Sequence, residues 1–435
     1  CQPGTPAADD ASCDDVKIYI DNLFLEGHLV PTDKVSRADV ADPWMLVGVV
    51  GEDEAAADLE RFTRLSERLT NELPGADADH RDWVGYSKVW AEWAASRWPL
   101  ANEQPDAVRE ASEKLHDAVE AAFSAWMTDH YASLHNLSFV QRPVMVHHVP
   151  HHIARGFTPS GAGPTKRHAV VVVDGLALDQ WVLLRNVIRG QMDAAVRLEE
   201  DVAFAWVPTL TGVSRQSIFA GEPPFFFGAS LGSTYKEKNH WQRFWEERGA
   251  GRQEIGYACQ KKQEPDNVFF DRVRAIADHP KMRVLGVVVG TVDQSMHGVV
   301  TGTRGLHSVV RDWAQSGGFA RLVTSLLDDD YEVFVTADHG NIEGTGIGKP
   351  NVGAIADERG ERVHVFVDEL TREAVRTEYP GSVAWPQIGL PDAYLALLAP
   401  GRGAFIHQGK TTVAHGGIAM EEVLVPFVKM TKGHA

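Results

Sequence analysis

The run Ala169-Val170-Val171-Val172-Val173 carries no polar residue and stops at Asp174-Gly175. A strand without polar alternation is buried on both faces, which is the condition of a parallel sheet covered by helices. The same type recurs at Val202 to Val207, Ile255 to Ala258, Val284 to Val289, Glu332 to Thr336 and Arg362 to Phe366. Asp179 then caps a helix with Trp181, Leu184 and Ile188 on one side, and a long helical stretch runs from Leu306 to Leu327. Strand, turn and helix alternate, so the fold class is α/β with a central, mostly parallel sheet covered by helices. In such a sheet the loops and polar residues that make a site lie at the carboxyl ends of the strands.

The part before this sheet reads differently. From about Ala55 to His135 the period is helical, with Leu59, Phe62, Leu65 and Leu69 on one face, then Tyr86, Trp90 and Trp93, then Leu115, Val119, Phe123 and Trp126. Pro74-Gly75 and Asn102 to Pro105 break it into three helices, and aromatic residues at this spacing belong to a core. Residues 1–54 are mixed: a Pro/Ala/Asp-rich start reads as disordered, and Val16 to Leu25 and Trp44 to Val50 read as either strands or short helices. The tract His147-His148-Val149-Pro150-His151-His152 reads as an extended linker or interface edge, and Thr158 to Thr165 as the joint before the second domain. The expected organisation is an N-terminal segment over 1–54, a helical domain and linker over 55–160, and the sheet domain over 161–435.

Composition narrows the class. With 435 residues, 44% hydrophobic and 23% charged, the chain reads as a soluble protein of two or three domains. Its apolar runs fall well short of the ~20 residues of a spanning helix, and no signal peptide is read, so a cytoplasmic location is expected. The start at Cys1 is treated as arbitrary, and Cys1, Cys13 and Cys259 are too few and too oddly spaced for a disulfide framework. A formal charge of -18 argues against a general nucleic-acid surface, although bound cations let an acidic protein hold phosphate in one cleft.

Polar residues gather where the strands end. Asp174 ends the first, and Gly175 leaves the backbone free to turn. Asp293 and His297 follow Val284 to Val289, four apart and therefore on one face of a helix; Asp338-His339 sits in Thr336-Ala337-Asp338-His339-Gly340-Asn341; His415 sits in Ala414-His415-Gly416-Gly417 before the apolar run Val423 to Val428. Between them, Pro208-Thr209-Leu210-Thr211-Gly212-Val213-Ser214-Arg215 closes a strand and opens a helix. A hydroxyl at such a turn sits over free N–H groups, and an arginine four residues on neutralises an anion there. Singly these residues have plainer roles: helix cap for Asp174, N-cap for Thr211, surface positions for His297 and Arg215, loop for His415. Six Asp and His residues at strand ends around a hydroxyl point instead to two metal ions, and the mixed donors suit zinc or manganese over calcium.

Val173-Asp174-Gly175, the Thr211 element, Asp293-x-x-x-His297, Thr336-Ala337-Asp338-His339-Gly340 and His415-Gly416-Gly417 are similar, in identity and order, to the alkaline phosphatase superfamily over roughly residues 166 to 430. Within it the chain resembles the PglZ domain, through Pro-Thr-x-Thr with a following Ser-Arg and through His-Gly-Gly followed by Glu421-Glu422-Val423-Leu424-Val425-Pro426. PglZ proteins are components of BREX phage-defence systems, and the domain also occurs fused to a response regulator. The resemblance implies an alkaline-phosphatase-like sheet and two divalent ions, zinc first, with manganese or magnesium as alternatives. One ion would be held by Asp293, His297 and His415, the other by Asp174, Asp338, His339 and the Thr211 oxygen. Thr211 would be the nucleophile, passing through a phosphothreonine, and Arg215 would orient a non-bridging oxygen by two parallel hydrogen bonds.

The implied function is a metal-dependent phosphatase or phosphodiesterase in anti-phage defence. Its substrates would be phosphate esters, nucleotides or oligonucleotides among them, its partners other defence-system proteins, and no membrane is involved. The rival reading is a non-catalytic, metal-stabilised scaffold subunit; no ligand or nucleophile is missing, which favours the enzyme. Threonine at the Thr211 position excludes the aldehyde hydrate of sulfatases, and Gly212 to Val292 is too short for the inserted domain of the related phosphoglycerate mutases. Thr209 also lies near the turn, so Thr211 rests on the likeness and on its spacing to Arg215. Gly221 to Gly251, with Phe225, Phe226, Phe227, Trp241, Phe244 and Trp245 beside Lys236, Lys238 and Arg243, reads as a packed insertion or a base-stacking element; Glu343 to Glu361 reads as a lid or a plain surface loop.

Overall fold

The computed structural model describes residues 54–101, 105–139, 141–159, 166–296, 301–350 and 360–433, with single positions 29, 32, 35, 40, 45, 48 and 49. Val16 to Leu25 and His297 lie outside the described residues, as do most of Trp44 to Val50 and parts of Thr158 to Thr165 and Glu343 to Glu361. Among the described residues three helices come first: α1 (Glu54–Asn71), α2 (His80–Ala101) and α3 (Pro105–Leu134). Their facing aromatics make the core that the period predicts. Phe62 stacks on Trp93 with centroids 5.5 Å apart, and Trp83 meets Phe123 edge-on at 4.8 Å.

The expectation of an extended histidine tract is corrected. Val146–His148 is a 3-10 turn leading into α4 (Val149–Ala154), and His147 and His148 are buried. Pro150 falls in the first helical turn, where its missing N–H leaves no hydrogen bond unmade, so it starts the helix rather than preventing it.

The chain then alternates through β1 (Arg167–Val173), α5 (Leu178–Arg189), β2 (Val196–Phe204), α6 (Thr211–Ala220), α7 (Glu237–Glu246), β3 (Ile255–Cys259), α8 (Asp266–Ala277), β4 (Val284–Val289), α9 (Thr291–Met296), α10 (Gly302–Gln315), α11 (Gly318–Asp328) and β5 (Tyr331–Thr336). The stretch Leu306 to Leu327 is two helices, not one, because Gly317 takes a left-handed φ of 72° between them. Next come β6 (Ile342–Gly346), β7 (Val363–Phe366), α12 (Glu369–Glu378), β8 (Val383–Ala384), β9 (Leu395–Leu398), β10 (Gly403–Ala404), β11 (Thr411–Ala414), α13 (Met420–Val423) and β12 (Leu424–Lys432).

Among the described residues six strands form the main sheet, in the order β2-β12-β5-β1-β4-β3. β1 runs parallel to β4 and β5, and β3 parallel to β4. β12 is the exception, antiparallel to both β5 and β2. The fully apolar strands β1 and β4 lie inside the sheet and are buried along their apolar lengths, as their lack of alternation requires. The segment read as Arg362 to Phe366 does not join them: β7 pairs antiparallel with β9 in a separate three-stranded sheet, β7-β9-β8. A second small sheet, β10-β6-β11, carries the strand that leads to His415.

The helical region and the sheet share one continuous hydrophobic core. Trp126 packs on Phe204 at 5.9 Å, and Arg185 of α5 bonds Glu92 of α2 at 2.7 Å. The Tyr131 hydroxyl donates to Ala205 O at 3.1 Å and accepts from Val207 N–H at 2.8 Å, tying α3 to the segment that leads into α6.

Candidate active site

Because β1, β4 and β5 point the same way, their carboxyl ends deliver Asp174, Asp293 and the Asp338-His339 pair to one rim of the sheet. Asp174 still belongs to the ladder through its N–H, 2.9 Å from Val289 O, and Gly175 then turns with φ 71°. A Cβ on Gly175 would stand 3.7 Å from both Asp293 Cβ and His339 Cε1, which fixes how closely three segments meet. Asn341 ties the same turn to β5, donating to Gly175 O at 2.8 Å, and Gln180 holds Asn341 Oδ1 at 2.8 Å.

Asp338 uses one oxygen for structure: its Oδ1 accepts from Gly175 N–H and His339 N–H, both at 3.1 Å. Its Oδ2 is buried and has no hydrogen-bond partner, and the same is true of Asp174 Oδ1. His339 Nδ1 lies 2.9 Å from Gly340 O, which can only accept, so Nδ1 carries the proton and Nε2 has a lone pair. That lone pair is 3.1 Å from Thr211 Oγ1, at the first position of α6. Ligand atoms of Asp174, Asp338 and His339 all lie within 4.8 Å of one another, and this is the one such group among the described residues.

His415 is set by the same logic. Its Nδ1 is 2.8 Å from the Thr209 carbonyl oxygen, which places the proton on Nδ1 and the lone pair on Nε2, and its ring stacks on His339 with centroids 4.0 Å apart. Thr209, the other hydroxyl near the turn, holds the loop after His415: it donates to Gly417 O at 3.0 Å and accepts from Gly416 N–H at 2.9 Å. Arg215 is buried on α6, with Nη1 on Asp174 Oδ2 and Nε on Glu237 Oε1 at 2.8 Å.

A sequence profile described as the BREX system PglZ alkaline phosphatase-like domain matches residues 154–430, well over half of the chain. The chain belongs to the PglZ family. Its structure is similar to murine ectonucleotide pyrophosphatase/phosphodiesterase 5 (14% identity, 60% of this chain and 88% of that one, TM-score 0.46). It is also similar to alkaline phosphatase PafA (12%, 63% and 92%, TM-score 0.45) and to phosphonoacetate hydrolase from Sinorhizobium meliloti 1021 in complex with phosphonoacetate (14%, 63% and 92%, TM-score 0.39). A comparison with curated proteins gave no match.

The electrostatics of the PglZ rim ask for more positive charge than the chain supplies. Burial pushes the Asp174 carboxyl well above the usual carboxylate range; Arg215 opposes this, and Asp338 and Asp293 add to it. Burial, with His339 alongside, pushes His415 down to about 4, so its imidazole is neutral and able to act as a donor at pH 7.

Sequence reasoning missed three residues that shape this PglZ site. Glu237 and Tyr257 stand behind Arg215, with the Tyr257 hydroxyl 2.6 Å from Glu237 Oε2. Glu422, quoted above only as part of a phrase, accepts from Gly417 N–H at 2.8 Å and Ala419 N–H at 3.0 Å and is paired with buried Arg362. Only the last had a signal, the acidic pair after His-Gly-Gly. The stretch Gly221 to Gly251 divides: Phe227, Trp241, Phe244 and Trp245 are buried, while Phe225 and Phe226 are exposed.

Proposed function

We propose that this chain is a metal-dependent phosphoric ester hydrolase with Thr211 as nucleophile, working in the cytoplasm within an anti-phage defence assembly. Its substrates are phosphodiesters or phosphomonoesters, nucleotides and oligonucleotides among them. One observation carries the reading: the Thr211 hydroxyl lies 3.1 Å from His339 Nε2, in the first turn of a helix, beside two buried carboxylate oxygens that have no hydrogen-bond partner. Buried carboxylate oxygens without donors are costly, and a divalent cation is the group that would satisfy both together with His339.

Asp174, Asp338, His339 and the Thr211 oxygen would hold one ion, and Asp293, His297 and His415 the other, with zinc ahead of manganese or magnesium. Bound there, such ions lower the pKa of the hydroxyl and neutralise charge on the phosphoryl group. Thr211 supplies the attacking oxygen: an Oγ–P bond forms as the ester P–O bond breaks, and the alcohol leaves with a proton. Water then forms a new P–O bond as Oγ–P breaks, which restores the hydroxyl and releases phosphate or, from a diester, a monoester. The N–H groups of Val213 and Ser214 are bonded to Leu210 O, whereas those of Thr211 and Gly212 have no backbone acceptor among the described residues and remain to donate to phosphoryl oxygens. Arg215 is the cation of the site, held against Asp174 and Glu237.

Hydrolysis of bis(4-nitrophenyl) phosphate and of 4-nitrophenyl phosphate, each with added zinc, manganese or magnesium, tests this and ranks diester against monoester. Thr211→Ala is expected to reduce turnover to background while metal content by elemental analysis is unchanged. Undiminished turnover in that variant removes Thr211 from its role.

A further inference from the structure

We propose that Glu237 is a positioning residue for Asp174, acting through Arg215. The inference rests on the reading above that Asp174 holds a divalent ion. Asp174 has two oxygens with different fates: Oδ2 accepts from Arg215 Nη1, and Oδ1 is buried without a hydrogen-bond partner. The contact with Arg215 thus decides which oxygen is left for a ligand and fixes the plane of the carboxylate.

A guanidinium bonded at one end only is free to pivot about that contact. Here the other end is held, since Nε donates to Glu237 Oε1 at 2.8 Å. Glu237 is held in turn, because its Oε2 accepts from the Tyr257 hydroxyl at 2.6 Å. The chain of contacts runs from β3 through the first residue of α7 and the middle of α6 to the end of β1, so four elements bear on one carboxylate.

Its burial makes the choice of residue informative. Glu237 is only 1% exposed, and placing a carboxylate there carries a desolvation cost that glutamine or leucine would avoid. The return is geometry: a planar guanidinium joining two carboxylates has one orientation, which a lysine ammonium cannot reproduce. Groups standing behind metal ligands in this way typically govern about 10–100-fold in affinity.

Calorimetric titration of the metal-stripped full chain with Mn²⁺ and with Zn²⁺ tests the relay directly, without reference to activity. Glu237→Gln is expected to weaken binding by about 10–100-fold, and Tyr257→Phe to weaken it by a smaller factor. Arg215→Met also weakens binding, and adding Glu237→Gln to it costs nothing further, because a residue acting through Arg215 has no effect once Arg215 is gone. In steady-state hydrolysis of bis(4-nitrophenyl) phosphate, Glu237→Gln lowers kcat and leaves KM unchanged. Additive losses in the double variant overturn the proposal, as does wild-type affinity in Glu237→Gln. If Glu237→Gln fails to fold by circular dichroism, Tyr257→Phe decides, since it removes only a hydroxyl; wild-type affinity in that variant also overturns the proposal. Asp174→Asn separates the two levels of argument. If it binds metal like the wild type, the reading of Asp174 as a ligand falls; if it loses metal while Glu237→Gln does not, the relay alone falls.

Discussion

His415 is suspended from Thr209: its Nδ1 lies 2.8 Å from the Thr209 carbonyl oxygen, while the Thr209 hydroxyl accepts Gly416 N–H and donates to Gly417 O. One residue fixes both the ring and the loop that carries it, two positions before Thr211. Thr209→Val keeps the shape and removes the hydroxyl, leaving buried Gly416 N–H and Gly417 O without this partner. A cost of about 1–3 kcal/mol in urea unfolding is expected, with phosphate-ester turnover falling by more than the loss of folded protein explains. Wild-type turnover would show that the loop holds His415 without Thr209.

Gly340 follows His339 and packs directly on the backbone of Glu421. A Cβ there would stand 1.9 Å from Glu421 O, and neither side is a flexible side-chain tip. Gly340→Ala is therefore expected to cost several kcal/mol, on the order of the severe overpacking class, seen as a fall in melting temperature and in soluble yield. A variant that melts like the wild type would mean that β5 and α13 are less closely locked than described.

Tyr131 reaches from α3 to Ala205 O and Val207 N–H. Tyr131→Phe leaves the Val207 N–H without this acceptor, a loss of about 1–3 kcal/mol. Because Val207 begins the segment that ends at Thr211, the variant should also lower kcat, measured on the aryl diester under conditions where the protein stays folded.

Acid should weaken the fold over a defined window. Burial pushes His148 down to about 4 and His116 down to about 3, the latter with help from Arg402. Unfolded, both titrate near 6.5. Between pH 6.5 and 4 the unfolded chain therefore binds more protons, so stability is present above pH 6.5 and is lost as pH falls toward the folded values. Each histidine contributes about 1.4 kcal/mol per pH unit there. Urea midpoints of metal-stripped protein at pH 7, 6 and 5 measure the slope, which His148→Gln should make shallower by about one proton; an unchanged slope would mean that His148 titrates normally when folded.

How much of this was legible in the sequence depends on how local each cause is. Asp174, Asp338 and His339 were readable because each follows an apolar run, and a strand buried on both faces must put its first polar residue at the rim. The three helices before the sheet were readable from their period. The antiparallel course of β12 was not, since direction in a sheet is decided by connections rather than by composition. Glu237 was invisible for a related reason: nothing within a few residues of it speaks of Arg215, and only the packing of α7 against α6 brings them together. The break at Gly317 had a signal, a Gly-Gly pair inside a helical period, which the amphipathic pattern on both sides outweighed.

The place of β12 has a consequence for biogenesis. It follows every other strand of its sheet in the chain, yet it lies between β2 and β5. Among the described residues, β2 has no neighbour in the main sheet until residues 424–432 emerge during synthesis, and β2 is the strand that leads toward Thr211. A nascent chain can assemble β1, β4, β3 and β5 beforehand, with the nucleophile's segment held by Tyr131 and by the bond from Phe204 N–H to Val144 O, but the ribosome must deliver the closing strand before β2 is joined to that sheet. Premature termination upstream of that strand yields a polypeptide holding most of the acidic rim, without the strand that joins the hydroxyl's segment to the sheet bearing that rim.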